Sequence, residues 1–267
     1  MDGWLHTLTA RLRTLFPQHY RWPATDVWLP GKRQLHLVGS IHMGTRNMMP
    51  LPPGLLERLQ KADALIVEAD ITGSASPFTY SEPQPPLAER VDSAALQQLS
   101  RLCAELNLDL QQLEALPLWQ IALMLQAQQA QRLGLRPDYG IDYQLLQAAH
   151  AQGKTVIELE GAGEQLDILK TLPENGQSLL ADTLEHWHTN ARLLQTMISW
   201  WLEKPPQQQQ TALPTTFSSE LNDLLMRQRN QRWNHLLRAL PAGRYVVAVG
   251  ALHLYGENNL PALLKRR

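Results

Sequence analysis

Two short motifs in this chain place a histidine three residues after a glycine at the end of a β-like run. Leu35-His36-Leu37-Val38 runs into Gly39-Ser40-Ile41-His42, and Val246-Val247-Ala248-Val249 runs into Gly250-Ala251-Leu252-His253. Both read apolar-Val-Gly-small-apolar-His, 253 − 42 = 211 residues apart, with Gly44 and Gly256 close behind. One such motif occurs by chance in many proteins; two at matching strand ends are a stronger signal. Glycine lets the backbone turn sharply as the strand stops. The histidine is then offered at the carboxyl edge of the sheet, where open α/β sheets bind ligands. Two further runs end in acid, Ile66-Val67-Glu68-Ala69-Asp70 and Ile157-Glu158-Leu159-Glu160. His42, Glu68, Glu160 and His253 are therefore expected on one rim, with Asp70 beside it. Imidazoles and carboxylates together suit a divalent metal, or acid–base catalysis without one. The plain alternative is polar capping of a solvated sheet edge. That alternative is preferred for Glu158, which lies on the opposite side of its strand from Glu160.

A cation is expected near this rim. In the helical stretch Ser219–Leu240 the apolar face is marked by Leu221, Leu225, Leu236, Leu237 and Leu240. Arg229 lies four residues from both Leu225 and Trp233, so it falls on or near that face, and Arg232 lies on the same stripe. An inward arginine needs a carboxylate or a substrate oxyanion; the pattern alone does not choose between the two residues, or between that role and a structural salt bridge. Asp142, in Tyr139-Gly140-Ile141-Asp142, reads locally as a helix cap. His186 and His188, two apart on a helix, face different ways and make a poor metal pair. Trp187, Trp200 and Trp201 read as packing residues and Cys103 as a small buried side chain. Ser40 lacks the G-x-S-x-G context of a nucleophile. No G-x-G-x-x-G or phosphate loop is present, which speaks against a nucleotide cofactor.

The elements that must position these groups are short. Five β-like runs are expected at Asp26–Leu29, Gln34–Val38, Ala64–Glu68, Thr155–Leu159 and Tyr245–Val249. Pro30-Gly31 makes the first two a hairpin. The others are nearly continuous in Val, Ile and Leu, the pattern of strands buried on both faces of a parallel sheet. Leu55–Lys61 reads as the helix of a βαβ unit. Ser93–Leu106, Leu118–Leu133 and Asp142–Gln152 form a helical insertion, about 92–153, with Gly134 and Gly153 where helices end. Glu164–Leu172, Ser178–Lys204 and Ser219–Leu240 make a second helical segment, about 164–240, containing a Pro/Gln linker at 205–216, and Leu260–Arg266 closes the chain. Thr72–Pro86 is too rich in proline for regular structure, and is a candidate lid or a plain surface loop. The reading is one α/β domain over 1–267: a central, mostly parallel sheet with an N-terminal hairpin and a large helical insertion.

Composition narrows the function classes. Of 267 residues, Lys+Arg supply 24 and Asp+Glu 25, a net charge of −1, so no basic excess exists to drive nucleic-acid binding. The hydrophobic fraction of 44% is ample for a core. The single cysteine excludes an internal disulfide and an all-cysteine zinc site. No transmembrane span is expected. Arg11 and Arg13 interrupt the apolar core that a signal peptide would need, so a cytoplasmic protein is expected. Leu5, Leu8, Leu12 and Leu15 mark one helical face, read as packing against the domain.

The paired G-x-x-H motifs, Ala64-Leu65-Ile66-Val67-Glu68, Tyr139-Gly140-Ile141-Asp142, Arg229-Asn230 and Val249-Gly250-Ala251-Leu252-His253 resemble the TraB/GumN family, also called the TraB/PrgY/GumN or Tiki-like family. The resemblance covers nearly the whole chain. It implies a fold related to the erythromycin-esterase and ChaN-like proteins. It also implies metal-dependent peptidase chemistry supported by manganese or cobalt, with His42, Glu68 and His253 as the needed residues. Zinc suits the same donors. Arg229 and Asn230 match a further family motif, which raises Arg229 above Arg232. The leading expectation is a metal-dependent hydrolase of a peptide or amide bond. In it His42 and His253 ligate the ion, Glu68 ligates or acts as base, Arg229 holds a substrate carboxylate or oxyanion, and Glu160, Asp142, Asn230 and Asp70 lie behind them. The alternatives are a metal-independent esterase- or amidase-like hydrolase with His42 as base, and a non-catalytic regulator that binds a peptide. The substrate is then a peptide or small molecule.

Overall fold

The fold, from a computed structural model, is described for residues 19–73, 83–206 and 211–266. The apolar stripe of Leu5 to Leu15 lies outside these residues, as do most of the proposed lid and the glutamine run of the linker. Five strands form one sheet: β1 (Ala24–Leu29), β2 (Arg33–Ser40), β3 (Ala64–Val67), β4 (Thr155–Glu158) and β5 (Gly243–Gly250). Their order is β1-β2-β5-β3-β4, with β1 antiparallel to β2 and the other neighbours parallel. The hairpin turns where Gly31 and Lys32 have φ of 78° and 60°. The βαβ expectation is corrected in one respect. β5 lies between β2 and β3, so the connecting helix α1 (Pro53–Lys61) carries the chain past a strand made much later.

Alternation along the strands sends side chains to two cores. Val38, Leu65, Val67, Val246 and Ala248 pack on one face with Leu55 and Leu59 of α1. Leu35, Leu37, Ile66, Val247 and Val249 pack on the other with Trp233 and Leu237. The helical insertion holds α2 (Ser93–Leu106), α3 (Leu118–Arg132) and α4 (Ile141–Ala151). After β4 come α5 (Gly161–Lys170), α6 (Gln177–Glu185), α7 (Trp187–Leu202), α8 (Gln228–Ala239) and α9 (Leu260–Lys265). α2, α3 and α6 share a third core around Leu99, Ile121, Leu125 and Leu180, where Cys103 is also buried.

Two helical expectations need correction. The stretch 178–204 is not one helix but breaks at His186. The break sends α6 to the third core and lets α7 carry Trp200 and Trp201 to the two sheet cores. The stretch 219–240 is interrupted by a π-type turn at Asp223–Arg227. Such a wide turn shifts the helical phase of everything after it. Leu236, expected on the apolar face, is therefore 49% exposed, while Trp233 and Leu237 are fully buried. Among the described residues no helix is long and apolar enough to cross a membrane.

Candidate active site

The parallel register aligns the strand ends. Ser40 pairs with Gly250, and Val67 faces both Ala248 and Glu158. Past the strands, the Glu160 and Gly161 amides both donate to the Glu68 carbonyl at 3.0 Å, which ties the two acidic strand ends together. α8 runs above them, and Arg229 at its start reaches both acids. Arg229 Nη2 lies 2.6 Å from Glu68 Oε2 and 2.8 Å from Glu160 Oε2, and its Nε donates to Glu160 Oε1 at 2.9 Å. Glu160 also accepts from Trp233 Nε1 and Arg232 Nη2, each at 3.0 Å. The Arg229 side chain is 13% exposed and that of Arg232 46%, so the structure separates two arginines that the sequence pattern left equal. Glu68 Oε1 accepts the Gly250 amide at 2.7 Å and Oε2 accepts Gln165 Nε2 of α5 at 3.2 Å.

His253 completes this wall. Its Nδ1 is 2.7 Å from Asn230 Oδ1 and its Nε2 is 3.5 Å from Arg229 Nη1. With an acceptor at Nδ1 and a donor at Nε2, the ring is held as the neutral Nδ1–H tautomer. Burial is the main cause, and with the nearby Arg229 and His42 charges it overcomes Glu68 and pushes the His253 pKa down to about 3. Burial works against ionisation of Glu68. The Arg229 guanidinium, with His253, His42 and the Gly250 amide, prevails and holds the acid at about 2.

His42 differs from the rest. Its side chain is 67% exposed, and its Nδ1 lies 2.8 Å from Asp142 Oδ2, which is 8% exposed. The approach falls outside hydrogen-bond alignment, so charge more than a directed bond holds the pair. The Asp142 carboxylate is the main cause, and with Glu68 it outweighs the partial loss of hydration beside the rim and the Arg229 charge to raise the imidazole pKa to about 9. Backbone contact sets this pair. The Ile141 amide donates to the Ile41 carbonyl at 2.9 Å, and Gly44 and Arg136 exchange two backbone bonds at 3.0 and 2.8 Å. A Cβ at Gly140 would sit 2.3 Å from the His42 carbonyl oxygen, and one at Gly44 would sit 2.3 Å from that of Tyr139. Only glycine permits so close an approach.

The rim thus gathers His42, Glu68, Glu160, Arg229, His253, Asn230 and Asp142. Asp142 is not the helix cap: Gly140 holds that position, and the carboxylate serves His42. Asp70 is not brought in. It bonds Thr72 and lies 3.5 Å from His150. Glu158 turns away, as expected, and accepts the Asp70 amide at 2.6 Å. Two members were missed. Trp233 sits one helical turn after Arg229, a spacing that marks it in retrospect, whereas no sequence signal singles out Gln165.

The donors expected for a metal do not fit one as they stand. Among the described residues, only Asp182, Glu185 and His186 bring three ligand atoms within 4.8 Å of one another. His42, Glu68 and His253 do not, and the Arg229 guanidinium takes the place between Glu68 Oε2 and His253 Nε2 that an ion bridging them would need. Glu68 also has both oxygens engaged by donors and is no free base. Arg229 is itself spent on carboxylates; only Nη1, with contacts of 3.3 and 3.5 Å, keeps capacity for an incoming oxygen.

A profile of the TraB/PrgY/gumN family matches residues 22–267. The chain is 58% identical over 259 residues to the uncharacterized protein YbaP of Escherichia coli (strain K12), covering 97% of each chain. It is identical to the same degree to the uncharacterized protein YbaP of Shigella flexneri. No solved structure gives a significant match. The family profile spans both G-x-x-H motifs, the acid strand ends and the Arg229-Asn230 pair that the sheet edge brings together, and the chain belongs to the TraB/PrgY/gumN family.

Proposed function

We propose that this protein is a hydrolase of an amide or ester bond, peptide-like in its substrate, in which His42 is the proton-transferring group. One observation supports this above the others: His42 is the exposed ionisable group of the rim, with Nδ1 turned to a buried carboxylate and 67% of its side chain open to solvent. A histidine oriented in this way can take a proton from water as the water attacks a carbonyl carbon, and return it to the leaving group. Asp142 stabilises the imidazolium that forms in between. Glu68, Glu160, Arg229 and His253 are the fixed polar wall, and Arg229 Nη1 faces the negative oxygen that develops. No step is routed through a metal ion, because the donors do not fit one as arranged.

With a pKa of about 9, only ~1% of His42 is the neutral base at pH 7, so turnover rises about tenfold per pH unit up to that value. The test is cleavage of peptide and ester libraries from pH 6 to pH 10, read by mass spectrometry with and without a chelator. Turnover that climbs with pH, survives chelation and vanishes in His42→Ala supports the proposal. Equal turnover in His42→Ala overturns it. Turnover abolished by chelation and restored by manganese overturns the metal-free form and returns the reading to a metallohydrolase.

A further inference from the structure

A second cleft lies away from the catalytic rim, over the opposite ends of β2 and β5 and beside α1. Its volume is about 490 Å³. The floor is a polar network. His36 Nδ1 is 2.7 Å from Asp26 Oδ1, Trp22 Nε1 donates to His36 Nε2 at 3.2 Å, and Arg58 Nη2 donates to the Tyr20 hydroxyl at 2.6 Å. Each of these groups has a partner without a ligand.

The mouth is different. Trp28 pairs with Gln34 across β1 and β2, and Gln34 pairs with Arg244 across β2 and β5, and all three line the cleft. Strands lie about 4.8 Å apart, so an indole, a primary amide and a guanidinium stand in a row about 10 Å long. Trp28 is 38% exposed, among the few large apolar side chains left in water. Among the described residues, none of these three side chains has a hydrogen-bond, ion-pair or ring partner. The neighbouring Lys61 is paired with Glu57 and the Asp63 carboxylate accepts the Arg244 backbone amide, while among the described residues the Arg244 guanidinium itself has no ion-pair partner.

We propose that this cleft binds a flat heteroaromatic ring carrying an anionic group, the chemistry of a mononucleotide. The ring stacks on Trp28, its polar edge meets the Gln34 amide, and the anion meets Arg244. An indole offers a stacking platform of the kind that bases use. A side-chain amide matches the paired donor and acceptor of a base edge. A guanidinium is the preferred partner of a phosphate. No phosphate loop is needed, because side chains on three strands make the contacts. The site is independent of the hydrolase reading and shares no residue with the rim.

The test is calorimetric titration of the full chain with AMP, adenosine and ribose 5-phosphate. AMP is expected to bind at one site, with each fragment at least about tenfold weaker. Trp28→Ala and Arg244→Ala are each expected to weaken AMP about tenfold with unchanged melting temperature, since both side chains are exposed, and Trp28→Phe to keep most of the affinity. No heat from AMP at millimolar concentration overturns the proposal. So does binding that adenosine matches, or that neither alanine variant weakens.

Discussion

Replacing Arg229 with methionine tests the electrostatic reading of the rim. The substitution keeps most of the side-chain volume and removes the charge. It leaves the carboxylates of Glu68 and Glu160, 8% and 0% exposed, without their shared cation. Breaking a buried ion pair from one side costs about 3–5 kcal/mol. Glu160 keeps Arg232 and Trp233, and Glu68 keeps Gln165 and the Gly250 amide, so the lower half of that range is expected. The pKa of Glu68 gives a second route to the figure. A fall from 4.5 to about 2 is worth roughly 3 kcal/mol, of which Arg229 supplies the largest favourable part. A loss of about 3 kcal/mol lowers the melting temperature of a chain this size by roughly 10 °C. The dependence on pH is the sharper signature. A depressed carboxylate pKa contributes stability that is complete above the unfolded value and is lost as pH falls toward the folded one. The gap between wild type and variant should therefore narrow by about 2 kcal/mol between pH 7 and pH 3. Urea unfolding at the two pH values measures it. Adding Glu68→Gln should stabilise the Arg229→Met variant while destabilising wild type. A gap below about 1 kcal/mol, or one that is equal at both pH values, would refute the reasoning.

Four further outcomes follow from the same geometry. Asp142→Asn should bring the His42 pKa down from about 9 toward the ordinary imidazole range, as read from an NMR titration of the ring, and should shift the rising limb of any pH–rate profile with it. His253, held neutral with a pKa near 3, contributes stability that is full above its unfolded value of 6.5 and is lost as pH falls from there, so wild-type unfolding should ease between pH 6.5 and pH 3. Asn230→Ala removes the acceptor from the Nδ1–H of that ring and should cost roughly 1–3 kcal/mol in urea unfolding at pH 7, with nitrogen NMR reporting loss of the single tautomer. Gly140→Ala places a methyl against the His42 carbonyl. It should separate His42 from Asp142 and return the His42 pKa toward its usual range, even in molecules that remain folded.

Local pattern reaches some of this architecture and not the rest. The strands were legible because runs such as Ala64–Val67 and Tyr245–Val249 are continuous in apolar residues, a pattern that survives any topology. The place of β5 between β2 and β3 was not legible, since strand order is a property of the whole packed sheet. His42, Glu68, Glu160 and His253 could be read as a group because each stands just past a strand end. Local pattern alone did not reach Asp142, because its signal is that of a helix start and its partner lies a hundred residues earlier in the chain; only the family motif Tyr139-Gly140-Ile141-Asp142 set it behind the rim. The inward cation was anticipated, but both Arg229 and Arg232 reach Glu160, and the choice between them was settled by the fold, which turns Arg229 inward to Glu68 and leaves Arg232 at the surface. Leu236 failed as a core residue because a π-type turn leaves no mark in hydrophobic spacing.

The strand order also bears on how the protein is made. β2 and β3 are both complete by Val67, yet the strand that joins them is Gly243–Gly250, about 175 residues later. Until that strand leaves the ribosome, the facing edges of β2 and β3 have no native neighbour, and unpaired edges invite association with other chains. The polar rim obeys the same timetable, since His253 and the Gly250 amide that steadies Glu68 are its last parts to arrive. A nascent chain stalled before residue 243 thus has an open sheet and no assembled rim, and both are completed when one late strand slides into place.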